Sequence, residues 1–307
     1  MKNIFLLAAS IIFSLMTKAQ SLQKPSSGKI DRIEAFESQF IDNRMIDIWL
    51  PENYNSNKKY AVLYMQDGQM LFDATTTWNK QAWEVEEVLT QLFKENKIKE
   101  TIVVGIWNGG KMRHASYFPQ KPYENLLASE QELVTKKLQE KGRTTNAFIP
   151  NSDNYLKFIV QELKPFIDKK YSVFTDKKQT FIAGSSMGGL ISIYGICEYP
   201  EVFGGAICMS THWPGNFEVE NNPIPNAFFK YLENNLPNPK NHKIYFDCGD
   251  QTLDAMYPNL QKQVDLILIK KGFSETNWLT KYFLGKDHSE KSWSERLHIP
   301  FEFLLKK

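Results

Sequence analysis

The sequence predicts an α/β fold in which a mostly parallel central sheet carries helices on both faces. Strand-like and helix-like segments alternate along the chain, which favours a parallel sheet built by right-handed crossovers. Two of the strand segments, residues 60–65 (YAVLYM) and 101–107 (TIVVGIW), are nearly continuous apolar runs typical of strands buried on both faces. A glycine-rich turn at residues 184–189 (GSSMGG) joins another strand to an apolar helix. In such sheets, ligands bind beyond the carboxyl ends of the strands.

The first elements form a hairpin, and the later ones alternate. Residues 32–40 and 44–50 are strand-like and are joined by the turn formers Asp42 and Asn43. Further strands are predicted at residues 60–65, 101–107, 180–183, 205–209, 243–248 and 279–284. Helices are predicted from apolar spacing at residues 80–95, 130–140, 154–169, 187–198, 227–234, 257–271 and 291–305.

The sequence of the amino end is typical of a targeting segment. Residues 1–20 combine the charge of Lys2, an apolar run over residues 4–16 and small residues at Thr17 and Ala19, which predicts a signal peptide cleaved after Ala19 or Gln20. A membrane anchor is the alternative, but the apolar run is shorter than the roughly 20 residues that a bilayer requires. We therefore expect export to a periplasm or to the medium, without stable membrane insertion after cleavage.

The mature chain is expected to form one catalytic domain over residues 21–307. The sequence contains no linker, repeat or low-complexity tract, and this length suits one large α/β domain. Residues 110–151 are polar and poorly periodic, so we expect a lid or substrate loop inserted there. The formal net charge of +2 becomes 0 once Lys2 and Lys18 are removed, which argues against nucleic acid as a partner.

Metal and disulfide chemistry are not indicated. The chain has three cysteines, each within an apolar element, so we interpret them as small buried hydrophobic residues rather than as a disulfide framework. Neither a CxxC pair nor an HExxH motif occurs, and nothing else predicts a zinc site. No cofactor is expected.

The strongest chemical signal is the G-x-S-x-G motif centred on Ser186. This chemistry needs a serine on a sharp strand-to-helix turn, where its Oγ stands clear of the sheet. Gly184 and Gly188 remove the β-carbons that would collide in such a turn. The helix that follows directs free N–H groups at a developing oxyanion, and the N–H of Met187 is the first donor. The motif predicts an α/β-hydrolase nucleophile, and the chain lacks the lysine of a phosphate-binding loop.

The base is identified by position among five histidines. In this fold the acid and then the histidine follow the nucleophile along the chain. His114 precedes the nucleophile, and His212 follows it too soon. His242 begins a strand, at the wrong end of the sheet, and His298 lies in the terminal helix. His288 remains, in a loop after the last strand that can bend back to the serine.

The acid is narrowed to two aspartates. It must lie just beyond the strand at residues 243–248, where it can orient the imidazole. Asp247 is still inside that strand, whereas Asp250 is nearest its end and Asp254 lies at the start of the next helix. Sequence position alone does not separate Asp250 from Asp254, and one of them serves as a turn or cap residue.

These residues resemble the putative-esterase family of α/β hydrolases, which includes enterochelin-type siderophore esterases, feruloyl and acetylxylan esterases and mycolyltransferases. The resemblance extends over residues 42–304. The matching stretches are residues 64–73 (YMQDGQMLFD), 101–110 (TIVVGIWNGG), 184–192 (GSSMGGLIS), 199–213 (YPEVFGGAICMSTHW) and 285–293 (GKDHSEKSW). Together they are specific, because no single stretch would identify the family.

The resemblance implies three assignments. The DGQ turn after the first buried strand is similar to an oxyanion loop, so the N–H of Gln69 becomes the second donor. The histidine of the family's H-S-E-x-x-W segment matches His288. A T-L-D segment after the Gly-ended strand favours Asp254 as the acid over Asp250. Other branches of the family place the acid where this chain has Thr252, which keeps Asp250 open.

The implied reaction is acyl transfer to water in two steps. Ser186 attacks an ester carbonyl, His288 takes its proton and later activates water, and Asp254 holds the ring. The N–H groups of Met187 and Gln69 bind the oxyanion. An acyltransferase that excludes water is the variant that the sequence leaves open.

Aromatic residues near strand ends offer substrate contacts. Trp78, Trp107 and Trp213 lie at carboxyl ends of strands or in the loops beyond them, where a sugar or phenolic acyl group could stack. Packing in the core is the alternative role for each of them. His212 and Trp213 are the preferred substrate contacts, and Arg113 could hold an anionic group.

Two enzymatic functions and one non-enzymatic function compete. The first is an esterase of acylated carbohydrate or phenolic esters, and export favours it. The second is a siderophore esterase acting on a catechol trilactone. The third is a binding protein on a hydrolase fold, against which the complete set of serine, acid and histidine argues.

Overall fold

The computed structural model describes residues 21–307, and the predicted signal peptide at residues 1–20 lies outside them. An eight-stranded sheet has the order β1-β2-β4-β3-β5-β6-β7-β8. The first two pairings, β1 with β2 and β2 with β4, are antiparallel, and the others are parallel. The strands are β1 (Lys29–Phe36), β2 (Arg44–Leu50), β3 (Ala61–Gln66), β4 (Thr101–Ile106), β5 (Thr180–Ser185), β6 (Gly205–Met209), β7 (Lys243–Cys248) and β8 (Trp278–Tyr282). The predicted mostly parallel sheet is confirmed.

Helices cover both faces of this sheet. They are α1 (Val85–Lys94), α2 (Arg113–Tyr117), α3 (Gln120–Glu124), α4 (Ala128–Glu140), α5 (Ser152–Lys157), α6 (Lys164–Lys170), α7 (Met187–Glu198), α8 (Ile224–Asn235), α9 (Pro258–Lys270), α10 (Glu290–Ser294) and α11 (His298–Leu305). A π-helical stretch, Phe158–Leu163, joins α5 to α6. Short 3-10 turns, Gly68–Met70 and Thr252–Met256, follow β3 and β7.

The core consists of two apolar layers separated by the sheet. Side chains alternate across a strand, so Val62 and Tyr64 of β3 belong to one layer, and Leu63 and Met65 belong to the other. The first layer packs against α5, α7, α8 and α9, and the second against α1 and α11. Burial on both faces explains why the central strands read as continuous apolar runs.

Several element boundaries differ from the sequence prediction. Helix α1 begins at Val85 rather than at residue 80, because Lys80 and Glu84 adopt left-handed backbone conformations with φ of 58° and 54°. The predicted terminal helix is divided into α10 and α11. The first strand lies earlier, at Lys29–Phe36, and a longer loop replaces the predicted two-residue turn.

The polar segment at residues 110–151 contains more helix than its sequence suggested. It forms α2, α3 and α4, where one helix was predicted. Helix α4 buries Val134 and Leu138, and α3 packs against α8. Within residues 21–307, no helix is both long enough and apolar enough to cross a membrane.

Candidate active site

Ser186 lies in the turn between β5 and α7 with a strained backbone. Its φ of 57° and ψ of −123° lie in a region that non-glycine residues rarely adopt, and such strain clusters at functional sites. A β-carbon on Gly184 would lie 2.6 Å from the carbonyl carbon of Gly188, so the turn can close only with glycine at position 184. The turn is fixed by hydrogen bonds from the N–H of Ser186 to the Met209 carbonyl, at 2.9 Å, and from the N–H of His212 to the Ser186 carbonyl, at 3.1 Å.

The N–H of Met187, the predicted first oxyanion donor, lies at the start of α7 directly after Ser186. Met187 is the first residue of α7, and the first amides of a helix have no intrahelical acceptor. Because this N–H follows Ser186 directly, it lies beside any group that the serine attacks. The positive end of the helix dipole adds to its attraction for a developing negative charge.

The turn carrying Gln69 follows the neighbouring strand β3 at the same edge of the sheet. Asp67 starts this turn in a left-handed conformation, with φ of 56°. A β-carbon on Gly68 would lie 2.5 Å from the carbonyl carbon of Gly105, so the turn packs directly on β4. The side chain of Gln69 accepts a hydrogen bond from the N–H of Asn108 at 3.2 Å. These contacts leave the predicted second oxyanion donor on a firmly held loop.

His288 and Asp254 form a close pair. The Nδ1 atom of His288 lies 2.6 Å from Oδ1 of Asp254, whose side chain is fully buried. The loop is held in place by the N–H of His288, which donates to Oγ1 of Thr252 at 3.0 Å. The His288 ring also contacts Trp293 edge-on, with 5.0 Å between the ring centroids. The sequence-predicted base and one of the two candidate acids are therefore together.

The second carboxylate oxygen of Asp254 is fixed by a buried network. It accepts hydrogen bonds from the N–H of Gly249 at 2.6 Å and from Oγ of Ser210 at 2.7 Å. Ser210 in turn accepts from Nε1 of Trp293 and Nη2 of Arg296, both at 2.9 Å. Both oxygens of Asp254 thus have partners, which fixes the orientation that the carboxylate presents to His288.

Arg296 carries the positive charge behind the site. It is buried and pairs with Asp247, with 2.9 Å between Nη2 and Oδ1. Burial raises the pKa of Asp247, and the Arg296 guanidinium opposes that rise.

Asp250 does not contact His288, and its hydrogen bonds stabilise the turn after β7. Its carboxylate accepts from the N–H of Gly285 at 2.7 Å and from Nε2 of Gln251 at 2.9 Å. The backbone N–H of Asp250 donates to the Lys286 carbonyl. The structure therefore brings Asp254, and not Asp250, to the histidine.

Tyr257 and His212 complete the surroundings of the serine. The Tyr257 hydroxyl lies 2.7 Å from Nδ1 of His212, and both side chains are buried. Burial raises the pKa of Tyr257 well above its usual value, and the Asp254 carboxylate adds to the rise. The phenol ring also lies edge-on to the His288 ring, with 5.7 Å between the centroids. Burial lowers the pKa of His212 well below its usual value, and the neighbouring His288 adds to this effect, so His212 is neutral at neutral pH.

Two of the predicted substrate contacts have other roles in the structure. Trp213 is a core residue with 1% of its surface exposed, and its Nε1 donates to Oε1 of Gln261 at 2.9 Å. It also packs against Phe246, which leaves no free ring face for a substrate. Nε and Nη2 of Arg113 are bonded to Asp67, so the anion that they hold belongs to the protein itself. For these two residues the core and the ion pair replace the predicted substrate contacts.

Trp107 also has partners within the protein. Its Nε1 donates to Oδ2 of the buried Asp47 at 2.8 Å, and the guanidinium of Arg32 lies 4.9 Å from its ring centroid. The tryptophan therefore packs against a buried ion pair, that of Arg32 with Asp47. His212 remains a candidate for substrate contact only through atoms next to Ser186, since 1% of its surface is exposed.

Metal ligands are not grouped in the part of the chain that the structure describes. There, no three His, Cys, Asp or Glu side chains are placed to share an ion. The cysteines of that part, Cys197, Cys208 and Cys248, are buried and unpaired. Burial raises the pKa of all three thiols, which keeps them protonated.

Sequence reasoning missed the residues that support the candidate site. Tyr257 follows Asp254 by three residues in the Thr252–Met256 turn and its continuation, and a 3-10 turn places residues i and i+3 on one face. That spacing is the signal that could have revealed Tyr257. Ser210 and Arg296 contact Asp254 from distant parts of the chain. Their sequence spacing therefore does not indicate that they belong to the site.

The parallel sheet, its covering helices and the strained serine turn define an α/β hydrolase. The sequence model of the Esterase family, described as "Putative esterase", matches residues 38–298, and the chain belongs to that family. Membership makes the protein a carboxylic ester hydrolase.

Individual relatives are distant but cover most of the chain. The Bacillus subtilis protein named "Uncharacterized protein YbbA" is 23% identical over 272 residues, which are 86% of this chain and 94% of that protein. A ferulic acid esterase structure superposes with a TM-score of 0.63 at 19% identity, over 90% of this chain and 97% of its own. The Shigella flexneri enterobactin esterase FES, determined in the presence of enterobactin, gives a TM-score of 0.65 at 16% identity, over 92% of this chain and 60% of its own. At these identities the structural matches establish the fold.

Proposed function

We propose that the protein is an exported serine esterase in which Ser186, His288 and Asp254 form the catalytic triad. The observation that carries the proposal is the 2.6 Å contact between Nδ1 of His288 and the buried carboxylate of Asp254, in a site that also holds the strained serine. A nucleophile on a sharp turn, a histidine and an orienting carboxylate are the parts that acyl transfer through a covalent intermediate requires.

Asp254 sets the tautomer of the base. A carboxylate accepts hydrogen bonds, so Nδ1 of His288 carries the proton and Nε2 keeps the lone pair that can accept the proton of the Ser186 hydroxyl. As Ser186 attacks the ester carbonyl, the imidazole becomes cationic, and the carboxylate stabilises that charge. The same histidine then returns its proton to the leaving alcohol and activates water in the second step.

Two backbone donors stabilise the tetrahedral intermediate. The N–H of Met187 and the N–H of Gln69 come from two neighbouring strand ends, β5 and β3, and bind the oxyanion between them. One such donor contributes about 3 kcal/mol to catalysis in enzymes of this kind. No step of this scheme calls for a metal or an organic cofactor.

Acylated carbohydrate or phenolic esters are the substrates that we propose. The similarity to a ferulic acid esterase supports this class. So does Trp78, whose side chain is 84% exposed. Its loop is tied to α10, just after His288, by hydrogen bonds from Nδ2 of Asn79 to Glu290 and from the N–H of Lys291 to Gln81. An exposed indole beside the site gives a flat acyl group or a sugar ring a surface to stack on.

The test is hydrolysis of p-nitrophenyl acetate and of methyl ferulate by the mature protein. Ser186→Ala should abolish turnover of both esters, whereas Ser185→Ala, in the adjacent position of the same turn, should retain it. Equal turnover by the wild type and Ser186→Ala would refute the triad. Turnover of the acetate alone would retain the triad and exclude the phenolic substrate class.

A siderophore ester is the second candidate substrate. The similarity to enterobactin esterase FES supports it. Hydrolysis of enterobactin, measured by release of its dihydroxybenzoylserine units, separates the two candidates when compared with methyl ferulate at equal enzyme concentration. A kcat/KM in favour of enterobactin would replace the carbohydrate or phenolic assignment.

Export and a lid complete the proposal. Residues 1–20 would direct the chain out of the cytoplasm, and residues 110–151 would cover the substrate. Amino-terminal sequencing of the protein from the periplasmic fraction should give a chain that starts at Gln20 or Ser21. Recovery of the intact amino terminus from the cytoplasm alone would exclude export.

A further inference from the structure

The amino-terminal segment, residues 21–27, is bonded to the elements that follow β3. It forms neither helix nor strand. The N–H of Lys24 donates to Oδ2 of Asp73 at 2.9 Å, and the N–H of Ser26 donates to Oε1 of Glu86, in α1, at 3.0 Å. Backbone groups of the segment are therefore bonded both to the loop after β3 and to α1.

Gln23 is the buried residue of the amino-terminal segment. Its exposed fraction is 1%, whereas Leu22 before it is 49% exposed and Lys24 after it is also exposed. Glutamine lies mostly at the surface of folded proteins, and buried polar groups are normally paired by hydrogen bonds. The partners of this side chain therefore show which parts of the fold it joins.

The Gln23 amide is bonded to the chain on both sides of Gln69. Its Nε2 donates to the carbonyl oxygen of Gly68, directly before Gln69, at 2.9 Å. Its Oε1 accepts from the N–H of Phe72, which follows the turn Gly68–Met70, at 3.3 Å. A single side chain thus spans the turn that carries the proposed second oxyanion donor.

A further bond of Gln23 leads into the sheet, because Nε2 also donates to Oδ2 of Asp47 at 2.7 Å. Asp47 lies in β2 and is fully buried. Its carboxylate also accepts from Nε of Arg32 at 2.7 Å and from Nε1 of Trp107 at 2.8 Å. A buried polar network whose members are paired is rigid, so Gln23 attaches the turn to a fixed point of the sheet.

We propose that Gln23 is a positioning residue that holds the N–H of Gln69 in place for the oxyanion. This inference rests on the proposed function, because it takes Gln69 as the second oxyanion donor. Such a donor must lie about 2.7–3.1 Å from the oxyanion, and a displacement of about 1 Å can reduce the rate about 100-fold. Gln23 itself is buried, so its effect on the reaction passes through the turn.

The test is the variant Gln23→Met in the mature protein, because methionine has a similar length but forms none of these hydrogen bonds. With p-nitrophenyl acetate we expect kcat to fall about tenfold and KM to change less than about twofold, since an oxyanion donor acts mainly in the transition state. Leu22→Ala alters the exposed neighbouring side chain and is the matched control, which should keep both constants. Circular dichroism and Tm show whether each variant is folded at the assay temperature.

Hydrogen exchange tests the positioning of the turn without catalysis. In a peptide that covers residues 66–73, the amides should exchange at least about tenfold faster in Gln23→Met than in the wild type, because the turn opens more readily. A peptide from α8 should exchange equally in both proteins. If the wild type hydrolyses no ester, the proposed function fails, whereas the exchange rates still decide whether Gln23 holds the turn.

A milder variant keeps the test decisive where Gln23→Met fails to fold. Gln23→Asn retains the amide but is one methylene shorter, so it cannot keep all the bonds that join Asp47 to the turn. It should show the same selective loss of kcat and the same faster exchange of residues 66–73. Unchanged exchange in a folded Gln23 variant, unchanged kcat relative to an active wild type, or a raised KM at unchanged kcat would each overturn the proposal.

Discussion

Arg113 holds Asp67 through two parallel hydrogen bonds, from Nε to Oδ1 and from Nη2 to Oδ2, each of 2.7 Å. The same carboxylate accepts from Nδ2 of Asn108 at 2.7 Å. Asp67 begins the turn that carries Gln69, whereas Arg113 begins α2 in the predicted lid segment. The anion that Arg113 holds is therefore part of the protein, and the ion pair links the lid segment to the proposed oxyanion loop.

The first prediction is that Arg113→Lys lowers kcat about tenfold and changes KM little. Lysine cannot reproduce the two-pronged contact, so the turn at Gln69 loses its anchor. An oxyanion donor acts mainly in the transition state, so its displacement affects kcat. Steady-state kinetics with p-nitrophenyl acetate measures both constants.

Lys111→Gln is the control for this prediction, since it removes an exposed charge from the same segment. A raised KM with unchanged kcat in Arg113→Lys would mean that the guanidinium contacts the substrate instead of positioning the loop.

The second prediction separates the two candidate acids. Asp254→Asn should reduce kcat by roughly 10³ to 10⁴, because an amide in place of the carboxylate favours the wrong tautomer of His288. Asp250→Asn should change kcat less than tenfold, since its carboxylate bonds to Gly285 and Gln251 in the turn. The measurement is kcat for both variants on one ester, and similar losses in the two variants would contradict the assignment of Asp254.

The turn that carries Ser186 could be predicted because the contacts that shape it are local. Glycine at position 184 is required by its contact with Gly188, four residues along the chain, and the flanking strand and helix are visible as apolar runs. Chain order alone predicts His288 as the base, and the structure pairs this histidine with Asp254. The same reasoning could not separate Asp250 from Asp254, because Thr252 adopts a left-handed conformation, with φ of 55°, that redirects the chain between them.

The network around Asp254 and the burial of Trp213 depend on contacts between segments that are distant in the sequence. The network of Asp254, Ser210 and Arg296 joins three different loops or helices, and none of these residues has a distinctive local pattern. Trp213 has a distinctive position, but that position fits two roles. A tryptophan just past a strand end can contact the substrate or pack in the core. Its partner Gln261 is 48 residues away and decides between them.

The third prediction follows from the core position of Trp213. Trp213→Phe removes the hydrogen bond to Gln261, leaving a buried amide oxygen unpaired, which should lower the free energy of unfolding by about 1–3 kcal/mol. The KM for small esters should stay unchanged, because the ring does not reach the substrate. Urea denaturation and steady-state kinetics test both parts, and a raised KM in a fully stable variant would restore the substrate role.

The fourth prediction concerns Glu86, whose pKa burial raises to about 7. Its carboxyl accepts from the N–H and Oγ of Ser26, at 3.0 and 3.2 Å, but these bonds do not offset burial. The folded state therefore holds a proton that the unfolded state releases above its ordinary pKa, near 4.3. Stability due to this group is complete below that pH and falls as pH rises towards 7, by on the order of 3 kcal/mol.

Glu86→Gln tests this dependence, because glutamine stays neutral at every pH. The variant should resist urea better than the wild type at pH 8, and the difference should vanish near pH 4.5. Glu132→Gln, which replaces an exposed glutamate of α4, is the matched control and should follow the wild-type curve. If Glu86→Gln is less stable than the wild type at pH 8, Glu86 is ionised in the folded protein and its contact with Ser26 is worth more than the cost of burying its charge.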